Sequence, residues 1–289
     1  MTSSWMLVAG FFFAAMALFV KLGGAHFEAT ELGMYRSLGA FLFIAAFVVF
    51  KRERVWNPHM GTHLMRSLAG TFGIITYFYG IANLPLATAT TLNYTSPLFL
   101  AVATTIVLGE KFPRWLLAAI VLGFTGVTML LQPTFAAGKE GAAMIGLFSG
   151  LLASWAYLGV RTLSRHGEPE WRILFWFGFF GTVGCAAWQF AFSTFHPVRW
   201  DNAWILVGIG VLGTLAQLAM TRAYRTGNTL VVGSLSYSTI VFSTLFMVTL
   251  WDERLSWLGW TGIVVIVASG LMALRVERKE HVEEAGFES

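Results

Sequence analysis

Ten stretches of this chain stay apolar for eighteen residues or more, separated by short polar or charged breaks. They run from about Trp5 to Leu22, Ala29 to Phe50, Arg66 to Asn83, Leu86 to Leu108, Arg114 to Leu131, Ala142 to Leu163, Arg172 to Thr194, Ala203 to Tyr224, Thr229 to Trp251 and Trp257 to Arg275. Each is long enough to cross about 30 Å of hydrocarbon as a helix. The near-continuous apolarity excludes a barrel, whose strands alternate, and only helices satisfy their own backbone in lipid. The pattern predicts an all-α integral membrane protein with ten transmembrane helices. The first stretch lacks a basic leader and is read as a retained span, not a signal peptide.

The pattern also repeats. "LNYTSPLF" (Leu92–Phe99) returns as "LSYSTIVF" (Leu235–Phe242), and the alignment carries Tyr94 onto Tyr237, Thr95 onto Ser238, Glu110 onto Glu253 and Lys111 onto Arg254. Spans 1 to 5 therefore correspond to spans 6 to 10. Five is odd, so the second copy enters the membrane from the other side, giving two inverted five-helix repeats around a central cavity. The expected organisation is a first repeat over 1–131, a small and polar linker over 132–141, a second repeat over 142–275 and a solvated cytoplasmic tail over 276–289.

Composition agrees: 56% of residues are hydrophobic and 12% charged, with a mean hydropathy of +0.68, outside the range of soluble domains. Net charge is +4, but the basic residues sit between apolar segments and form no nucleic-acid patch. Fourteen of the 19 Lys and Arg fall on one side, four (Lys21, Lys139, Arg199, Arg254) on the other, and Arg36 inside span 2. The positive-inside rule makes the rich side cytoplasmic, with both termini there and the cell inner (plasma) membrane as location. The single cysteine, Cys185, supports neither a disulfide framework nor a Cys-rich metal site. No cofactor or metal is expected. The expected partners are a small-molecule substrate and membrane lipid, with the chain a monomer or homodimer.

The stretch "ANLPLATATTLNYTSPLFLAVATTIVLGEKFPRWLLAAIVLGFTGVTMLL" resembles the fourth and fifth helices of the EamA-type branch of the drug/metabolite transporter superfamily. "LVVGSLSYSTIVFSTLFMVTLWDERLSWLGWTGIVVIVASGLMAL" resembles their second-half counterparts, with Asp252 for the usual glycine and Ile240 where proline is common. The resemblance implies two five-helix bundles around a cavity lined mainly by helices 1, 3, 4, 6, 8 and 9. Its members move amino acids, other metabolites, sugars, nucleotide-linked molecules and drugs.

Polar residues inside the spans are the candidate site. Pro97 lacks an N–H and should kink span 4, freeing the Asn93 carbonyl, with Asn93 on the same face and Tyr94 beside it. In span 9, Tyr237 and Ser238 are one side of the cavity, and the firmer kink is expected in span 4 because Ile240 stands where the first copy has Pro97. Gln217, between Thr214 and Thr221, gives span 8 a polar stripe. Span 6 offers Trp155 and Tyr157, and span 3 offers Tyr77 and Tyr79, whose rings suit an amphipathic solute. These groups serve either a solute or helix-to-helix bonding. Arg36, with Glu31 or the freed span 4 carbonyls as partner, is either a structural anchor or gate or a contact for an anionic group. Glu110 and Glu253 are structural charges at helix ends. All six histidines are placed in loops or the tail, and no HExxH, GxSxG or buried acidic pair appears. The leading expectation is a secondary transporter of a small organic solute working by alternating access, as an exporter. The alternatives are a lipid-carrier flippase and an intramembrane enzyme.

Overall fold

The computed structural model describes residues 2–84, 86–109, 113–134, 137–251 and 254–287. Twelve helices are described: α1 (Trp5–Gly23), α2 (Ala29–Lys51), α3 (Met60–Asn83), α4 (Leu86–Asn93), α5 (Ser96–Leu108), α6 (Arg114–Leu131), α7 (Glu140–Arg165), α8 (Glu170–Phe192), α9 (Trp200–Thr226), α10 (Thr229–Ser236), α11 (Ser238–Trp251) and α12 (Trp257–Phe287). α4 with α5, and α10 with α11, are broken halves of single spans, so the twelve make ten rods. Nine of the rods are long and apolar enough to cross a membrane. The tenth, α3, is about 36 Å long but carries His63, Arg66 and several hydroxyls. α12 continues as helix through Phe287.

Local chemistry sets the ends. Pro113 and Pro169 stand just before α6 and α8, where a missing N–H removes no helical bond. Asn228 caps α10, its Oδ1 accepting from Leu230 N at 3.0 Å and Val231 N at 3.4 Å. α5 ends in Gly109 at φ 66°, a left-handed stop that glycine takes without strain. Pro97 lies in the first turn of α5, so it begins a helix instead of bending one. The interruption before it spans two residues, Tyr94 and Thr95, against one, Tyr237, in the second copy.

Packing repeats the twofold relation seen in the sequence. α1 packs along α9 as α7 packs along α3, while α2 pairs with α8 and α6 with α12, each with its own counterpart. Several helix crossings close on glycine. Gly39 of α2 meets Gly210 of α9. Gly126 and Gly262 bring the α6 and α12 backbones together so tightly that a Cβ on either falls within 3 Å of the other's carbonyl oxygen. Without a hydrophobic drive between helices in lipid, such close approach is what dispersion requires.

The two ends of the bundle differ. At the end rich in Lys and Arg, one continuous core joins α1, α5, α6, α7, α8, α9, α10 and α12, including Met6, Leu100, Ile120, Leu163, Ile173, Tyr224, Leu230 and Ala273. At the opposite end the apolar packing splits. Phe27, Leu32, Ile205 and Ile209 group around α1, α2 and α9, whereas Leu84, Ala89 and Ala142 group around α3, α4 and α7. The basic end thus has one continuous core, while the opposite end is divided among three groups, the third being Val127, Leu130, Ile240 and Ile266 on α6, α11 and α12.

Candidate functional site

The broken spans meet at the centre. Tyr94 and Tyr237, the residues at the two breaks, bring their ring centroids to 6.3 Å. The Tyr94 hydroxyl bonds to Thr239. The carbonyls released at the first break are handled locally: Thr95 Oγ1 donates to Leu92 O at 2.6 Å. The carbonyls of Leu92 and Asn93 face Gly150 of α7, where a Cβ would stand 2.8 and 3.0 Å from them. Asn93 Nδ2 donates to Ser149 Oγ of α7 at 3.0 Å. Pro97 is buried and packs towards Gly233 of α10. Ser238 opens α11 with its Oγ buried, unpartnered and pressed against Gly10 of α1.

Next to the breaks lies a second layer. Tyr157 of α7 stacks on Tyr224 of α9 with centroids 5.2 Å apart and planes 17° from parallel. Arg36 reaches in from α2, its Nη2 donating to Gln217 Oε1 on α9 at 3.1 Å and its guanidinium 5.7 Å from the Phe13 ring centre. Arg66 of α3 is only 2% exposed, its guanidinium 3.7 Å from the Phe177 ring centre on α8. Both guanidiniums lie within electrostatic reach of Tyr157. Among the described residues no carboxylate pairs with either arginine. Arg66 Nε and Nη1, Gln217 Nε2, Thr221 Oγ1, and the Tyr224 and Tyr237 hydroxyls are all buried without a hydrogen-bond partner. Native interiors leave few such groups, so their concentration marks this layer.

Several expectations need correcting. Arg66 does not lie at the basic surface. α3 begins at Met60, six residues earlier than the apolar run, which carries Arg66 about 9 Å into the helix. A readable signal was present: His63, Arg66 or Ser67, and Gly70 or Thr71 recur at helical spacing and form a polar stripe. His63 likewise is in α3 and fully buried, not in a loop. Arg36 pairs neither with Glu31 nor with the span 4 carbonyls but with Gln217. Glu31, fully buried at the opposite end, instead accepts from His196 N and contacts His196 Nδ1, both at 3.0 Å. Tyr77 faces inward and shares a 3.1 Å hydrogen bond with Thr90 of α4. Tyr79 and Trp155 are 42% and 38% exposed. Each stands two residues from an inward tyrosine, about 200° around the helix. Glu110 and Glu253 lie outside the described residues.

Elsewhere, Glu168 ties the α7–α8 turn to α3, and an apolar cavity of about 530 Å³ opens on the flank between Phe41, Trp56, Leu64, Trp176 and Phe179. Among the described residues no group of three His, Cys, Asp or Glu is placed to hold a metal ion.

Comparison with known proteins fits this arrangement. The chain is 31% identical over 279 residues to the pseudopaline exporter of Pseudomonas aeruginosa (strain UCBPP-PA14), covering 94% of this chain and 95% of that one. It is 30% identical over 277 residues to an uncharacterized transporter of Helicobacter pylori (strain ATCC 700392 / 26695), covering 93% of each. A solved crystal structure superposes with a TM-score of 0.83 over 96% of this chain and 98% of that one at 20% identity, a likeness of fold. Residues 1–132 and 141–275 match the EamA-like transporter family. With nine membrane-length apolar rods beside α3, an inverted repeat and family matches over both halves, the chain is a multi-pass membrane protein that belongs to the EamA-like transporter family.

Proposed function

We propose that this protein is a secondary transporter that exports a small organic solute by alternating access, seated in the cell inner membrane with the basic end and both termini in the cytoplasm. The carrying observation is the contrast between the ends: one continuous core at the basic end, three separate groups at the other. An inverted repeat can exchange those two arrangements between its halves. On this reading the present state faces away from the cytoplasm. The solute meets Asn93, Tyr94, Tyr157, Gln217 and Tyr237 near mid-membrane, and no catalysis is assigned. The repeats take 1–131 and 142–275, joined by 132–141. The export direction draws on the exporter among the relatives, and the orientation on the excess of Lys and Arg at one end.

Reconstitution into liposomes with a panel of radiolabelled metabolites tests the reading. Saturable counterflow of at least one solute is expected, reduced about tenfold or more by Gln217→Ala, since a hydrogen bond to a charged group contributes about 1.5–3 kcal/mol. Folded protein without flux across a broad panel would sink it.

The flank cavity favours a second reading, a flippase whose acyl chains lie in that groove. A fluorescent-lipid scrambling assay separates the two. Lipid movement without solute flux selects the flippase.

A further inference from the structure

We propose that the central site takes an organic dianion, with one anionic group held by Arg36 and the other by Arg66 and the solute's body lying against the Tyr157–Tyr224 stack. This deepens the transporter reading and rests on it.

The layer is rich in donors and has no opposing charge. Arg66 is almost wholly buried, and two of its three nitrogens have no hydrogen-bond partner. A buried guanidinium normally acquires a carboxylate or backbone carbonyls, because an unpaired ion in low dielectric is expensive. Here the guanidinium lies against the Phe177 face and beside Gly70, while Gly159 meets the Cβ and Cγ of its stem. These hold a flat cation in place but do not neutralise it. Phe177 contributes a cation–π contact, weaker than an ion pair with two parallel hydrogen bonds. Arg36 has one acceptor, the Gln217 carbonyl oxygen, which turns the Gln217 amide into a further unpartnered donor. The Tyr224 hydroxyl adds a fourth.

Four donor groups from α2, α3 and α9 thus converge around one stacked tyrosine pair. None of the carboxylates among the described residues approaches them. A structural arginine would arrive with its acceptors. These arginines arrive without them, which is the arrangement expected of groups that meet their counter-ion in the solute. Two guanidiniums on separate helices match two anionic groups on one molecule better than a single one. A solute with an ammonium group would meet two like charges and no acid. A planar or amphipathic body fits the tyrosine faces.

The test uses the purified full chain in detergent, with thermal stability and calorimetric binding as readouts. The probes are α,ω-dicarboxylates from succinate to adipate and isophthalate, against butyrate, benzoate and inorganic phosphate. Dicarboxylates are expected to raise the melting temperature and monocarboxylates to leave it unchanged. Arg36→Gln and Arg66→Gln should each lower the affinity about 10- to 100-fold, the equivalent of one charge-assisted contact. Ligand-free Arg66→Gln should melt above the parent protein, because it removes an uncompensated charge. Arg66→Lys keeps the charge, guards against a folding defect and should retain part of the binding.

Binding of monocarboxylates as tightly as dicarboxylates, or no dianion binding at all, overturns the proposal. So does a lower melting temperature for Arg66→Gln with unchanged affinity. Binding by phosphate alone overturns the assignment to an organic dianion. Binding is read without flux, so the two readings fail separately. Dicarboxylates that bind but never cross liposomes defeat the transporter and leave the site standing. Flux of a neutral solute untouched by Arg66→Gln does the reverse.

Discussion

Gly262→Leu is expected to abolish the folded protein, and Gly126→Ala alone to lower the melting temperature sharply. At this crossing of α6 and α12, a Cβ on Gly262 would stand 2.7 Å from Gly126 O and from Leu130 N. One on Gly126 would stand 2.9 Å from Gly262 O and 2.8 Å from Ile266 Cγ1. The obstacles are largely backbone, which cannot turn aside as a side chain can. Relief requires the helices to separate, and separation removes dispersion contacts along the whole pair. Overpacking by one methyl costs about 1–3 kcal/mol where side chains can move, and the lower figure does not apply here. Fluorescence-detected size exclusion and a thermal melt measure the outcome. Gly61, near the start of α3 with nothing within 4 Å of its built Cβ, is the control. Gly61→Ala should be neutral or stabilising by about 0.5–1 kcal/mol. Equal tolerance at Gly262 and Gly61 would show that the crossing is looser than described.

The second large effect is expected at Glu168. This carboxylate is 5% exposed at the α7–α8 turn, where Gly167 takes φ +75°. Arg172 Nη1 donates to it at 2.8 Å, and His63 Nε2 stands 3.5 Å away. Arg172 Nη2 also donates to Arg54 O at 2.9 Å, so the carboxylate organises the α2–α3 loop, the start of α3 and the start of α8 together. Glu168→Ala takes the carboxylate from Arg172, which keeps only Arg54 O, and from buried His63, and breaking a buried pair in this way costs about 3–5 kcal/mol. Glu168→Gln keeps the shape and one acceptor oxygen and should lose less. Arg225→Ala offers the contrast. Its 3.6 Å pair with Glu170 is substantially exposed and should contribute no more than about 1 kcal/mol. If Glu168→Ala and Arg225→Ala melt alike, the Glu168 cluster is a surface decoration.

Much of this was legible in sequence because lipid imposes a rule that acts along the chain. Every span had to stay apolar for about twenty residues, so the rods could be counted, and their breaks showed where polarity intruded. Pro97 marked the interruption of span 4, which the structure places at Tyr94 and Thr95, while the break at Tyr237 in span 9 came from the structure. What misled was the treatment of a charge next to an apolar run as the membrane edge. That convention placed Arg66 and His63 at the surface, although the helix that carries them starts well before the run. Tyr79 and Trp155 were grouped with their inward neighbours although helical spacing turns them away.

Sequence by itself determined that this is a membrane-embedded helical protein built twice in opposite senses, with an interrupted fourth span. Those properties follow from hydrophobic length, backbone satisfaction and the chemistry of proline, all read from neighbours in the chain. Tertiary structure decided which charges lie inside, that Arg36 bonds Gln217 while Glu31 serves His196, and which end has one continuous core. Those facts depend on residues brought together from distant spans. The setting of Arg66 is defined by Gly159 and Phe177, two helices that nothing in its own stretch of sequence specifies.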